Sequence, residues 1–295
     1  MNSSKAALLI LLVLGNIAFV IGWIWAAKRQ RLRARPTPGD IAIGFVTDFL
    51  DTLGIGSYAP TTALYKFRRS PADELIPGTL NIGHNAAAFL ETLLFVTAVT
   101  VEPVLLLCMI ASATAGAWLG AKVVSRLPRR TIQLLMGVAL LIAAFFFAMK
   151  NLGAIPTGGG EAMGLSGWRF GLAVAVNFVL GALMCIGIGN YAPTMILLAL
   201  LGLNPLAAFP IMMGSDGILQ PVASLGFFKS GRFAHGPALG LVIGGAAGVL
   251  VAFFIVKQLP LTYLRWLVVV VVTYAAFTML RSARLARLQR QPAPG

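Results

Sequence analysis

The chain has 295 residues, of which 58% are hydrophobic and only 11% charged; its mean hydropathy is +0.87, and an ordinary soluble domain carries about 25% charged residues. That composition excludes a soluble globular enzyme, a disordered chain and, with two cysteines, a disulfide scaffold. The formal net charge of +14 gathers in clusters between apolar stretches, as membrane insertion demands of loops, and no basic face with interleaved aromatics points to nucleic acid.

The pattern is that of an all-α polytopic membrane protein. A spanning helix needs about 20 mostly apolar residues, and seven runs have that length: Ala6 to Ala27, Pro77 to Thr100, Val104 to Val124, Thr131 to Met149, Leu206 to Phe228, Gly236 to Val256 and Leu261 to Leu280. The first resembles a signal peptide but is too long for one, and the basic residues that follow it resist translocation, so it is read as a retained anchor with the N-terminus outside. Cys108 and Cys185 fall in apolar runs and read as packing residues.

Two further runs are interrupted. Ile41 to Tyr65 contains Asp48, Asp51 and a Gly-Ile-Gly-Ser-Tyr-Ala-Pro break, and Phe170 to Leu201 contains Gly-Ile-Gly-Asn-Tyr-Ala-Pro. As a single helix the second would be about 48 Å long against a bilayer core of about 30 Å, so folding back at the glycines is simpler. Counting Lys and Arg supports this. With both runs as hairpins, clusters at 28–35, 66–69, 122–130, 229–232 and 281–290 place 18 basic residues in the cytoplasm, leaving Lys5, Lys150, Arg169, Lys257 and Arg265 outside; with single crossings the split is 13 to 10. The positive-inside bias favours hairpins.

The two breaks are copies. Gly54 to Thr61 recurs as Gly187 to Thr194, an offset of 133, which also pairs Leu64 with Leu197 and Pro77 with Pro210; one residue less pairs Leu127-Pro128 with Leu259-Pro260. The expected organisation is an N-terminal anchor and basic linker (1–38), a first repeat (39–150), a Gly-rich extracytoplasmic linker (151–167), a second repeat (168–281) and a basic cytoplasmic tail (282–295). Each repeat holds one re-entrant, broken hairpin and three transmembrane helices, an odd number of crossings, so the second is inverted relative to the first. In secondary transporters of this design, broken helices near the midplane form the binding site.

After each break a helix restarts near Tyr58 and Tyr191. Its first amides lack intrahelical acceptors, and Pro60 and Pro193 fit a first turn. Two such positive poles can hold a small anion without Lys or Arg in the bilayer. The expected substrate-binding residues are Gly54, Gly56, Ser57, Tyr58, Ala59 and Thr61 in the first half and Gly187, Gly189, Asn190, Tyr191, Ala192 and Thr194 in the second. Packing alone accounts for Gly15, Gly22, Gly116, Gly240, Gly244, Gly245 and Gly248.

Acidic residues at bilayer depth mark function or a buried partner. Asp40, Asp73, Glu74, Glu102 and Glu161 fall in expected loops; Asp48, Asp51, Glu91 and Asp216 do not. His84 and Asp216 sit at nearly equivalent repeat positions and could approach one another, forming with Glu91 a proton-sensitive gate; equally, His84 could be a packing residue. Asp48 and Asp51 are expected to pair with Lys66 or Arg68.

At its glycine motifs the chain resembles the TauE/SafE-type sulfite exporter family, over roughly Ile41 to Met279. The resemblance implies two inverted halves that transport sulfite or an organosulfonate across the bacterial cytoplasmic membrane, with the family's glycine turn and proline on Gly54, Gly56 and Pro60 and on Gly187, Gly189 and Pro193. Ser57-Tyr58 and Asn190-Tyr191 stand where many members continue the glycine run, and the N-terminal helix has no place in the repeat. Moving one negative charge outward from a negative interior gains about 2.3 kcal/mol per 100 mV, which makes export the natural direction. With no ATP-binding loop or metal cluster, no cofactor is expected; the partners are the anion and the lipid bilayer, and the oligomeric state is open. A non-enzyme is expected. Two alternatives stay open: an intramembrane serine hydrolase using Ser57 with His84, and a structural subunit of degenerate transporter fold.

Overall fold

The computed structural model describes residues 3–30, 35–154, 160–187, 189–255 and 261–288. Of the positions named above, Ile188, Lys257, Leu259 and Pro260 and parts of the 28–35, 151–167 and 281–295 segments lie outside the described residues, as do the side chains of Lys5, Ala192 and Arg265. Twelve α-helices follow in order: α1 (Ser3–Arg29), α2 (Pro38–Thr52), α3 (Tyr58–Arg68), α4 (Ile76–Gly83), α5 (Asn85–Ala98), α6 (Pro103–Val124), α7 (Arg129–Asn151), α8 (Gly167–Met184), α9 (Tyr191–Leu200), α10 (Pro205–Ser230), α11 (His235–Ile255) and α12 (Leu261–Leu288). Among the described residues there is no strand, only an isolated bridge between Ala162 and Leu203. Among the described residues, five helices are long and apolar enough to cross a membrane: α1, α6, α7, α8 and α11. The chain is an all-helical, multi-pass membrane protein.

Both interrupted runs are broken where the glycines predict. Helix α2 closes in a glycine C-cap: Ile55 N–H bonds Leu50 O at 3.0 Å and Gly54 N–H bonds Asp51 O at 2.7 Å, with Gly54 at φ +79° and Gly56 at +92°, conformations a side chain resists. Helix α8 ends in the same way at Gly187, φ +98°, whose N–H bonds Met184 O. At 1.5 Å per residue α2 is about 22 Å long and α3 about 17 Å, so neither limb spans a bilayer core alone. The run from Pro77 to Thr100, expected as one helix, is divided at His84 into α4 and α5. Ladder bonds continue on both sides, from His84 N–H to Leu80 O and from Ala88 N–H to His84 O, so the joint is local.

The two halves pack crosswise. Helix α2 lies along α11 and α8 along α6, while α7 pairs with α12 and α5 with α10. Small residues make the first two approaches possible. A Cβ on Gly248 would collide with the Phe45 carbonyl, and one on Gly116 with the Phe178 carbonyl; the repeat equates Phe45 with Phe178 and Gly116 with Gly248. Gly240 and Gly244 abut Asp40 and Ile41 in the same seam. Gly15, by contrast, has nothing within 4 Å of an added Cβ, and Gly22 only Phe228 at 3.4 Å, so packing explains the α6 and α11 glycines but not Gly15.

Polar contacts sort the connecting segments onto two ends. At one end Arg68 Nη1 bonds Asp40 Oδ1 at 2.8 Å, Lys66 Nζ bonds Asp73 at 2.8 Å and Ser282 Oγ at 3.3 Å, Arg129 meets Glu74 at 3.2 Å, Arg232 bonds Leu127 O and Gln30 bonds Phe228 O. All five basic clusters, or the described parts of them, gather there. At the other end Glu102 N–H bonds Met163 O, Asn204 N–H bonds Ala162 O and Arg169 bonds Leu201 O. Asp40 and Asp73 are therefore not free in loops. Asp40 forms a capping box with Thr37 at the start of α2, and Asp73 lies buried in a 3-10 turn, also bonded by Gln133.

Candidate functional site

Three helix starts are capped by side chains. Thr37 caps α2, Glu102 accepts from Val104 and Leu105 N–H at the start of α6, and Asn204 accepts from Leu206 N–H at the start of α10. Helices α7 and α8 lack such a cap but begin at exposed residues, and the uncapped, buried starts of α4 and α5 continue directly from the 3-10 turn Asp73–Leu75 and from α4. Helices α3 and α9 begin in the interior, at Tyr58 (2% exposed) and Tyr191 (3%), and neither Ser57 nor Asn190 caps them. The first helical bonds come from Thr61 N–H to Ser57 O and Thr194 N–H to Asn190 O, both 2.9 Å. The amides of Tyr58 and Ala59, and of Tyr191 and Ala192, thus have no intrahelical acceptor, and each helix dipole adds about half a positive charge there.

The breaks meet. A Cβ on Gly189 would sit 3.9 Å from Tyr58 Cβ, and a cavity of about 30 Å³ lies between the motifs, bounded by Gly56, Tyr58 and Ala59 on one side, Gly189, Tyr191 and Pro193 on the other, and Ile142 and Phe146 of α7. That is room for one or two waters, too little for a tetrahedral oxyanion. Of the residues expected to bind substrate, Gly56, Tyr58, Ala59, Gly189 and Tyr191 line the cavity, and Pro193 joins them. Gly54 and Gly187 stand behind it, against Phe209 and Met136 respectively.

The polar side chains of the motifs, apart from the Tyr58 hydroxyl, are occupied. Ser57 Oγ donates to Asp51 Oδ2 at 2.5 Å, and Asn190 Nδ2 donates to Asp216 Oδ1 at 2.6 Å. Thr61 Oγ1 lies 3.0 Å from His84 Nε2, and His84 Nδ1 lies 2.7 Å from Asp48 Oδ1. Thr194 donates to Asn177 Oδ1 at 3.4 Å, while Asn177 bonds Met109 O. Glu91 accepts from Thr52 at 2.7 Å and from Tyr191 OH at 3.2 Å; that hydroxyl also contacts Met213 Sδ.

Two expectations are corrected here, and two of the expected gate residues are located. Asp48 and Asp51 do not pair with Lys66 or Arg68, which hold Asp73 and Asp40 instead, because the acids point inward from α2 toward the break while the bases sit at the outer end of α3. His84 and Asp216 are not hydrogen-bonded to one another, each being bound within its own break. The Ser57–His84 pair of the hydrolase alternative is not formed, since Ser57 turns to Asp51 and His84 to Thr61. Sequence reading also passed over Thr52, Met213 and Thr92, which bonds Met213 O at 2.7 Å. Only Thr52, next to the glycine turn, carried any local signal.

The family model described as sulfite exporter TauE/SafE matches residues 2–147. The first half of the chain is similar to that family. The match takes in α1, which the repeat leaves out, and all of the first break; the second break lies beyond it. TauE/SafE is a transporter family, in keeping with a chain of apolar helices. No curated protein and no solved structure matches the chain.

Proposed function

We propose that the chain is a secondary transporter of a small sulfur-containing anion such as sulfite or an organosulfonate, exporting it across the bacterial cytoplasmic membrane by alternating access. The observation that carries this reading is the meeting of two uncapped, buried helix starts at one cavity. Such starts bind oxyanions through backbone N–H groups. Ser57, Thr61, Asn190 and Thr194 surround the starts and complete the site when they turn from their present partners. At 30 Å³ the cavity belongs to a closed state, which opens alternately to each side.

Two inverted repeats are supported by the ends of the hairpins. Arg68 at the end of α3 reaches Asp40 at the start of α2, and Arg169 at the start of α8 reaches Leu201 just past α9, so each hairpin returns to the end it left, and they leave from opposite ends. The reciprocal seams of α2 with α11 and α8 with α6 fit the same two-fold relation. The end with the basic clusters is cytoplasmic, placing the N-terminus outside and the C-terminus inside, with boundaries near 38, 150, 167 and 281 between the segments. A vestibule of about 780 Å³ opens there, walled by Lys66, Arg69, Arg129 and Arg281; its field concentrates anions at the inner face. His84, Glu91 and Asp216 are kept as candidates for a gate.

The test is flux of labelled sulfite from vesicles containing the purified chain. Ala59→Leu fills the cavity, and Ser57→Leu and Asn190→Leu remove a donor while adding bulk; each lowers flux at least tenfold in protein that still inserts and elutes as a single species. Wild-type flux from all three variants rejects the site.

A further inference from the structure

The two motif side chains that differ between the breaks, Ser57 and Asn190, both donate to a carboxylate, yet the carboxylates are not repeat counterparts. At the offset of 133, Asp51 corresponds to Met184 and Asp216 to Gly83. One acid comes from α2, within its own hairpin; the other comes from α10, across from α9. Duplication does not supply this match. The same motif position has been given an acid by two different routes.

We propose that Asp51 and Asp216 carry protons that move together with the anion, each competing with that anion for one donor, the Ser57 hydroxyl or the Asn190 amide. The inference rests on the transport reading above and supplies its coupling ion; a cycle that carries protons with the anion no longer gains from the membrane potential, so it runs outward only where the anion's own outward gradient exceeds the proton gradient. All four groups are buried, at 6%, 4%, 2% and 1% exposure for Asp51, Asp216, Ser57 and Asn190. Asp51 Oδ1 and Asn190 Oδ1 have no partner, so the Asp51 carboxyl has an open oxygen on which to take a proton. An ionised carboxylate at this depth is costly and repels an anion arriving at the helix start. It also holds its donor by a charge-assisted bond, stronger than the bond to the neutral acid. Protonation therefore removes the repulsion and releases Ser57 and Asn190 to the anion; departure of the anion returns both donors and expels the protons to the same side. Only the carboxyl O–H bonds form and break, and one anion travels with up to two protons.

The surrounding charged groups leave these two acids as the pair suited to the task. Asp48 is matched by His84, Glu91 is held by Thr52 and Tyr191, and Tyr58 keeps a free hydroxyl beside the break. Helix α11, packed along α2, brings only His235 at its far start, where Trp23 bonds it; α9 brings Tyr191 alone, and α10 brings no acid or base besides Asp216 and Lys229 at its outer end.

The experiment uses the full chain in vesicles with the membrane potential clamped at zero. Labelled thiosulfate and methanesulfonate are the probes, since both stay ionised near neutral pH and any proton that moves is carried by the protein. An interior one pH unit more alkaline raises wild-type accumulation about tenfold per coupled proton. Asp51→Asn and Asp216→Asn each reduce that ratio by about tenfold, and the double variant brings it to one. Asp51→Glu and Asp216→Glu, which keep a titratable group, respond to the gradient more than the Asn variants. Wild-type uptake that ignores the gradient overturns the proposal while leaving the transport reading intact, and an undiminished ratio in the Asn variants overturns the siting. Absence of uptake of either probe and of sulfite, with or without a gradient, overturns both readings.

Discussion

His84 shows how a residue with two bland readings acquires a specific one. At 1% exposure it bridges α2 and α3 by way of Asp48 and Thr61, with its ring 5.6 Å from that of Tyr58. Nδ1 lies against Asp48 and Nε2 against the Thr61 hydroxyl, so both ring nitrogens are engaged. Replacing it leaves a buried carboxylate whose other oxygen is already without a partner. His84→Ala is therefore expected to cost about 3–5 kcal/mol, and Thr61→Val, which strands only one ring nitrogen, about 1–3 kcal/mol. Thermal unfolding of the detergent-solubilised protein measures both, and equal midpoints for His84→Ala and wild type would contradict the bridge. From the sequence, His84 and its acids were visible as intramembrane ionisable groups, but their partners were not. The partner of Asp48 stands 36 residues away and that of Asp216 26 residues away, a pairing fixed by how helices cross and not by local spacing.

At the scale of the element, glycine does two different jobs, and the sequence separates them unevenly. The breaks were legible because Gly54, Gly56 and Gly187 need positive φ and because the motif occurs twice. The close seams were legible only as small residues in apolar helices; nothing local distinguished Gly244, whose added Cβ would strike the Ile41 carbonyl, from Gly15, which faces open space. Gly244→Ala is expected to wedge α2 from α11 at a cost of about 1–3 kcal/mol, whereas Gly15→Ala leaves the unfolding midpoint within the error of the measurement. The contrast is the informative quantity, since both are Gly→Ala changes inside apolar helices. The division of the Pro77 to Thr100 run at His84 was not foreseen, because hydropathy alone does not register a one-residue joint at which the ladder continues on either side.

For the whole molecule, charge is the feature that organises everything else. Loops that lie far apart in sequence, near residues 30, 68, 129, 231 and 282, touch at one end, and those near 102, 162 and 204 touch at the other. A count of Lys and Arg anticipated this sorting because the energetic asymmetry that orients loops acts on each cluster separately and needs no knowledge of packing. The hairpins make a sharper claim, which labelling can read in whole cells. In a Cys108→Ala background, with Cys185 fully buried, Glu161→Cys is expected to react with a membrane-impermeant maleimide from outside. Arg126→Cys and Lys229→Cys, both exposed, react only after the membrane is permeabilised. Between Glu161 and Lys229 lie α8, α9 and α10: if α8 and α9 formed one crossing, α10 would bring Lys229 back to the side of Glu161, so reaction of both residues from outside would reject the proposed second hairpin, and with it the proposed inversion of the two halves.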